Sequence, residues 1–266
     1  VHFQRAERRD ETRGHAAVHV LGGTDVDGNG IAGVERQFDA RLREQVGTPL
    51  RLSLDIRVQH VLREALGRAI GRFEAIGGAA VVMDVSTGEV LAMVSLPDHD
   101  PAEIATAPAE ARFNRITVGV YEPGSTFKIL STAMALDLGT TRITGGYDAS
   151  RPITYGRFTI SDFRGKNRWL TVPEIFAYSS NIGTARMVLE VGVPRPRAFL
   201  ERLVMTRRLP LELPETALPL APSARNWREI NTLTIAFGHG ISVTPLHVAT
   251  ATAAMVNGGV LYPPTL

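Results

Sequence analysis

A chain of 266 residues, 44% of them hydrophobic, can build one large domain or two modest ones around a real apolar core. Its 29 basic residues nearly balance 27 acidic ones and form no Lys/Arg block, which argues against nucleic acid as the main partner. The absence of cysteine excludes thiol catalysis, thiolate metal sites and disulfides. No apolar run reaches the roughly 18–20 residues of a membrane span, and Val1-His2-Phe3-Gln4-Arg5 does not read as a signal peptide. Arginine supplies all the basic residues but Lys128 and Lys166, so each lysine raises the question of what an amine does there that a guanidinium could not.

In chain order, residues 1–14 mix Arg and Glu with few apolar positions and are expected to form a solvated tail or the remnant of a preceding element. Residues 18–21 read as a short strand before a Gly/Asp-rich stretch over 22–33. Val34, Phe38 and Leu42 then fall at helical spacing. Gly47-Thr48-Pro49 marks a boundary. Beyond it, Val58, Leu62, Leu66, Ile70 and Phe73 predict a long helix, capped by Ser53 or Asp55 and stopped at Gly77-Gly78. Residues 79–83 read as a buried strand, Ser86-Thr87-Gly88 as a tight turn and 90–94 as the hairpin partner. A polar loop over 97–112 leads to an apolar helix over 127–138 that ends at Gly139. Residues 140–168 suggest small hairpins, and 171–178 and 182–191 two further helices. Prolines between 210 and 222 mark an extended loop, and 245–256 is a last helix closed by Asn257-Gly258-Gly259. The pattern predicts an α+β core with an antiparallel sheet.

Two patterns imitate ligand sites. Gly28-Asn29-Gly30-Ile31-Ala32-Gly33 matches the G-x-G-x-x-G of dinucleotide sites, but the strand before it is weak and Asp39 comes too early to meet a ribose. An interdomain turn is the expectation. Asp25, Asp27, Asn29 and Gly30 open like a calcium loop, whose twelfth position needs a bidentate Glu; that position holds Arg36. Asx-turn chemistry accounts for these residues. The histidines lack ligand spacing and are expected at the surface or in packing, with His239 in a Gly-His-Gly turn. No cofactor and no metal are expected.

The chemistry concentrates in Pro123-Gly124-Ser125-Thr126-Phe127-Lys128. Ser125 stands where a helix begins and Lys128 lies one turn on, on the same face. A serine hydroxyl needs a base to become a nucleophile, and a lysine held in a dry pocket can be that base because burial lowers its pKa. Arginine cannot, since it stays protonated. The helix N-terminus adds positive dipole near a developing oxyanion. Downstream, Tyr178-Ser179-Ser180-Asn181 can point a hydroxyl and an amide into the same cleft; taken alone, a loop cap between helices explains it as well.

Taken together, Glu122-Pro123-Gly124-Ser125-Thr126-Phe127-Lys128, Ser179-Ser180-Asn181-Ile182-Gly183 and Gly238-His239-Gly240-Ile241-Ser242-Val243-Thr244-Pro245-Leu246 resemble the transpeptidase domain of class B penicillin-binding proteins. The Glu before Pro-Gly-Ser leans toward the septal cell-division (FtsI) type, and residues 18–45 resemble the end of that family's non-catalytic pedestal domain. The resemblance implies the penicillin-binding/serine β-lactamase-like transpeptidase fold, an antiparallel sheet flanked by helices. Residues 1–49 would be the end of the pedestal and linker, and residues 50–266 the transpeptidase domain.

The resemblance also implies roles. Ser125 attacks the penultimate D-alanine carbonyl of a peptidoglycan stem peptide, with Lys128 as base. Ser179 shuttles a proton to the leaving amine, Asn181 hydrogen-bonds the acyl amide, and Gly124, Thr126 and Ser180 meet substrate. An amine from a second stem peptide completes the cross-link, and β-lactams acylate Ser125 instead. Implied surroundings are the periplasmic face of the bacterial inner membrane, an anchor preceding Val1, and divisome membrane proteins as partners. The family's Lys-Thr-Gly strand is missing: neither Thr87-Gly88 nor Thr144-Gly145 follows a lysine, so a C-terminal truncation is expected. His247 stands where relatives usually carry Gln. A class D-like serine β-lactamase and a non-catalytic penicillin sensor or scaffold are the competing readings.

Overall fold

The computed structural model describes residues 14–45 and 47–266; most of the stretch expected as a solvated tail lies outside them. The first departure from the sequence reading is α1 (Val18–Leu21), a single helical turn where a strand was expected. The Gly22 amide closes back on the Val18 carbonyl at 2.8 Å. Gly22 also sits so tightly on Ala32 that a Cβ there would lie 1.9 Å from its carbonyl oxygen, so the chain has to turn. Strands β1 (Gly23–Thr24) and β2 (Gly30–Ala32) pair antiparallel around the Asp-rich turn. The helical spacing that follows holds, but Phe38 interrupts it, giving α2 (Gly33–Gln37) and α3 (Asp39–Glu44).

Helix α4 (Ile56–Phe73) begins where Asp55 accepts the Arg57 amide at 2.9 Å. It ends at Glu74, in the left-handed conformation, rather than at the glycine pair, because Gly78 already opens the next strand. Strands β3 (Gly78–Met83) and β4 (Val90–Leu96) form the expected antiparallel hairpin, Ala80 opposite Val94. Burial differs from expectation: β4 is the buried strand, while β3, built mainly of small side chains, is half-buried throughout. The buried Gln59 of α4 ties helix to hairpin, exchanging two 2.8 Å hydrogen bonds with the main chain of Met93. The polar loop after β4 contains α5 (Ala109–Arg112).

Helix α6 (Lys128–Asp137) follows a 3-10 turn, Gly124–Phe127. The small hairpins come next: β5 (Gly146–Asp148) pairs with β8 (Trp169–Thr171), enclosing the hairpin of β6 (Ile153–Tyr155) and β7 (Phe158–Ile160). Helix α7 (Val172–Ala177) starts with a Thr171/Glu174 capping box, and α8 (Asn181–Val191) follows after one short turn. Besides the single turns α1 and α5, two longer helices were not anticipated, α9 (Pro194–Arg202) and α10 (Glu229–Ile235). Pro-Arg-Pro-Arg reads as a break, yet proline is well placed in a first helical turn. Helix α10 is seven residues of modest propensity, held by the burial of Leu233 and Ile235. Helix α11 (Pro245–Val256) has the expected bounds and packs on β3.

The architecture is α+β, with strands that pair two by two among the described residues. One hydrophobic cluster joins Phe127, Leu130, Ile182, Ala185, Leu233 and Ile241; it fixes α6, α8 and α10 around the loops that carry the chemistry. A second joins Val20 and Val34 to Val90, Met93, Ile116 and Leu246, and so crosses the boundary expected at residue 49. Among the described residues no helix is long and apolar enough to cross a membrane.

Candidate active site

The Ser-x-x-Lys spacing becomes geometry through the 3-10 turn. With three residues per turn, positions i and i+3 lie over one another, and the Lys128 Nζ donates to Ser125 Oγ at 3.2 Å. Ser125 is exposed, whereas Lys128 is only 2% exposed. The amine also donates to the Ser179 hydroxyl at 2.9 Å and the Ser179 carbonyl at 2.6 Å, so its three donor positions are spoken for. Burial pulls the Lys128 amine down to about 8, against the Asp162 carboxylate, which pulls the other way.

Ser179 reaches the amine with both oxygens because its backbone is left-handed, φ 55°. For a residue with a Cβ this is a strained conformation, and such strain persists only where surrounding structure enforces it. The enforcement starts with the main-chain closure of α7, where the Ser179 amide donates to the Phe176 carbonyl at 3.1 Å and the Ser180 amide to the Ile175 carbonyl at 2.9 Å. The residues that follow are held by Asp162, which sequence reasoning missed. Its carboxylate accepts the Ser180 hydroxyl at 2.8 Å and the Ile182 amide at 3.0 Å. Nothing local marks Asp162, since its partners lie 18 and 20 residues on.

The other expected site residues have varied placements. Asn181 opens α8 and donates its side-chain amide to the Ser161 carbonyl at 3.0 Å. Ser180, expected at the substrate, is instead a buried N-cap: its hydroxyl accepts the Gly183 amide at 2.9 Å while donating to Asp162. Thr126 is exposed and donates to the Pro123 carbonyl at 2.6 Å. Gly124 adopts φ 55° and donates its amide to the Gly238 carbonyl at 3.1 Å. Gly238 is so close that a Cβ on it would lie 2.1 Å from the Gly124 oxygen. Beside this contact, Glu122 takes the Gly240 amide at 2.7 Å on one oxygen and His239 Nδ1 at 2.9 Å on the other. The Gly240 amide, then His239, hold the Glu122 carboxyl below its ordinary range.

Lys166, His247, His19 and His99 are accounted for by packing. Lys166 Nζ lies 4.6 Å from the centre of the Tyr178 ring, a cation–π contact. His247 is buried between the Thr244 hydroxyl at 2.7 Å and the Arg207 carbonyl at 3.0 Å, and burial lowers its pKa. His19, half-buried, and His99, buried, meet edge to face. Asp25 is spent on its own turn, accepting the Asp27 and Asn29 amides and the Asn29 side chain. Among the described residues no group of three or more His, Asp or Glu is placed to hold a metal.

A hydroxyl 3.2 Å from a buried amine of lowered pKa, with a second hydroxyl on that amine, is equipment for nucleophilic acyl transfer. The comparisons with known proteins agree with the class that fold and site define. Residues 78–266 match the penicillin binding protein transpeptidase domain, and the chain belongs to that family. It is 38% identical over 269 residues to the probable peptidoglycan D,D-transpeptidase FtsI of Caulobacter vibrioides, covering 100% of this chain and 45% of that protein. Identity to the peptidoglycan D,D-transpeptidase FtsI of Escherichia coli K12 is 30%, over 99% of this chain and 48% of the relative. The chain thus spans about half the length of the curated relatives it matches. The structure of penicillin binding protein 3 from Mycobacterium tuberculosis, complexed with aztreonam, superposes with a TM-score of 0.88 at 28% identity, covering 97% of this chain and 60% of that one. The resemblance to septal class B proteins is borne out in these relatives.

Proposed function

We propose that this chain carries the catalytic centre of a septal peptidoglycan D,D-transpeptidase, with Ser125 as the acylated residue. The observation that carries the reading is the buried Lys128 amine held between the hydroxyls of Ser125 and Ser179. In the first step Ser125 Oγ bonds to the penultimate D-alanine carbonyl carbon while its proton passes to the neutral Lys128 amine. The peptide C–N bond then breaks, and the leaving D-alanine takes a proton from Lys128 through the Ser179 hydroxyl. In the second step an acceptor amine attacks the ester, its C–N bond forms as the Ser125 C–O bond breaks, and the proton returns to Ser125. Asn181 would hold the acyl amide, with Gly124 and Thr126 beside it, and Ser180 would act by fixing this turn.

FtsI relatives support the septal assignment, and with it a periplasmic position, β-lactams as inhibitors and divisome membrane proteins as partners. Residues 1–49 fit the end of a pedestal and 50–266 the transpeptidase domain, whose family match begins at residue 78. The test is incubation with a fluorescent penicillin and mass spectrometry, on this chain and on the protein as its cell makes it. A stable label on Ser125, abolished by Ser125→Ala, is the expected result. Rapid release of the label would favour a hydrolytic β-lactamase, and no label on the cell's own protein would overturn the enzyme reading.

A further inference from the structure

We infer that Glu122 is a positioning residue for the nucleophile, acting by clamping the turn at 238–240 onto the turn that carries Ser125. The inference rests on the reading of Ser125 as the acylated residue. The 3-10 turn Gly124–Phe127 has no side-chain cap of its own at its first residue. Its first amide, Gly124 N–H, goes instead to the Gly238 carbonyl at 3.1 Å. That bond exists because two glycines meet there with no room for a side chain between them.

The partner turn is anchored at both ends. Ala236 accepts the Ser131 hydroxyl at 2.7 Å, and Val243 exchanges two main-chain bonds with Tyr121, at 2.9 and 3.0 Å. Between these anchors the tip, His239-Gly240, is tied to the nucleophile turn by the Glu122 carboxylate, one oxygen to each residue. Glu122 therefore holds from outside the same contact that Gly124 and Gly238 make inside. Both side chains of the pair are about half exposed, 57% for His239 and 48% for Glu122, so the contribution is to placement rather than to bulk stability. Placement is what matters at Ser125, because an error of about 1 Å in a reacting group can cost about 100-fold in rate. Lys128 is fixed in the core and cannot follow a displaced Ser125.

The experiment compares wild type, Glu122→Ala and Glu122→Gln by two readouts, penicillin acylation kinetics and amide hydrogen exchange. In Glu122→Ala the first-order acylation constant should fall about 10- to 100-fold with the penicillin binding constant nearly unchanged. The Gly124 and Gly240 amides should exchange about tenfold faster or more, with α6 amides unchanged. Glu122→Gln keeps an acceptor for Gly240 and should return acylation to within about threefold of wild type. Wild-type acylation by Glu122→Ala overturns the inference, as does a loss in both variants that falls on binding or spreads to α6. If wild type itself never labels, the reading of Ser125 falls, and unchanged exchange at Gly124 and Gly240 in Glu122→Ala would overturn the clamp separately.

Discussion

Two arms of the molecule converge on Lys128, and they are built differently. The arm bearing Ser125 is set at its centre by main chain, a 3-10 turn, the Gly124–Gly238 contact and the paired bonds between Tyr121 and Val243, with the Glu122 side chain bracing it from outside. The arm bearing Ser179 adds side chains to its main-chain turn: Ser179 is left-handed where α7 closes on Phe176 and Ile175, and Asp162, Ser180 and Asn181 pin the chain that follows it. Main-chain contacts break by steric intrusion, and side-chain contacts break by removing a polar partner. The difference predicts which substitutions hurt where.

The largest effect is expected at the point of convergence. Lys128→Met fills the same space without the amine, so penicillin acylation of Ser125 should fall about 100- to 10,000-fold while the melting temperature holds or rises. In wild type, acylation should rise with pH through about 8 and then level, since the amine must be neutral to accept a proton. The linkage has a fixed sign. Lys128 binds its proton more weakly in the folded state, so stability should increase as pH rises from about 8 toward the unfolded value near 10.4. Lys128→Met should lose that increase, measured by denaturant midpoints across the window.

Gly238→Ala should break the main-chain arm. Its Cβ would meet Gly124 oxygen at 2.1 Å from a backbone at φ 80°, so acylation should drop about 100-fold and stability by about 1–3 kcal/mol. Wild-type kinetics in this variant would refute the idea that the Gly124–Gly238 contact sets Ser125. Asp162→Ala should loosen the other arm, costing about 1–2 kcal/mol through the lost cap on α8 and about tenfold in acylation. Asp162→Asn sharpens the comparison further. Removing the charge that favours protonated Lys128 should move the midpoint of the pH–acylation profile below about 8, a shift no main-chain variant should produce.

The same division explains what could be read from sequence. The contact between Ser125 and Lys128 was legible because it depends on a spacing of three residues, which one local turn preserves; that of Lys128 with Ser179 spans 51 residues and was legible only through the family resemblance. Helix α11 and the β3–β4 hairpin were legible from periodicity and turn residues. Asp162 was not, because it acts across 18 and 20 residues of chain, and the partners Glu122 and His239 lie 117 apart. Ser180 looked like a substrate contact because a serine between two candidate site residues carries no sign of which way it points; only the Gly183 amide and Asp162 fix it as a cap. Helices α9 and α10 escaped notice because packing rather than propensity holds them.

Ser179 also says something about how such a protein would respond to selection. A left-handed backbone is worth about 1 kcal/mol more to glycine than to serine. A screen for heat resistance that never asked for acylation would therefore enrich Ser179→Gly, and in doing so would discard the hydroxyl that lies 2.9 Å from the Lys128 amine.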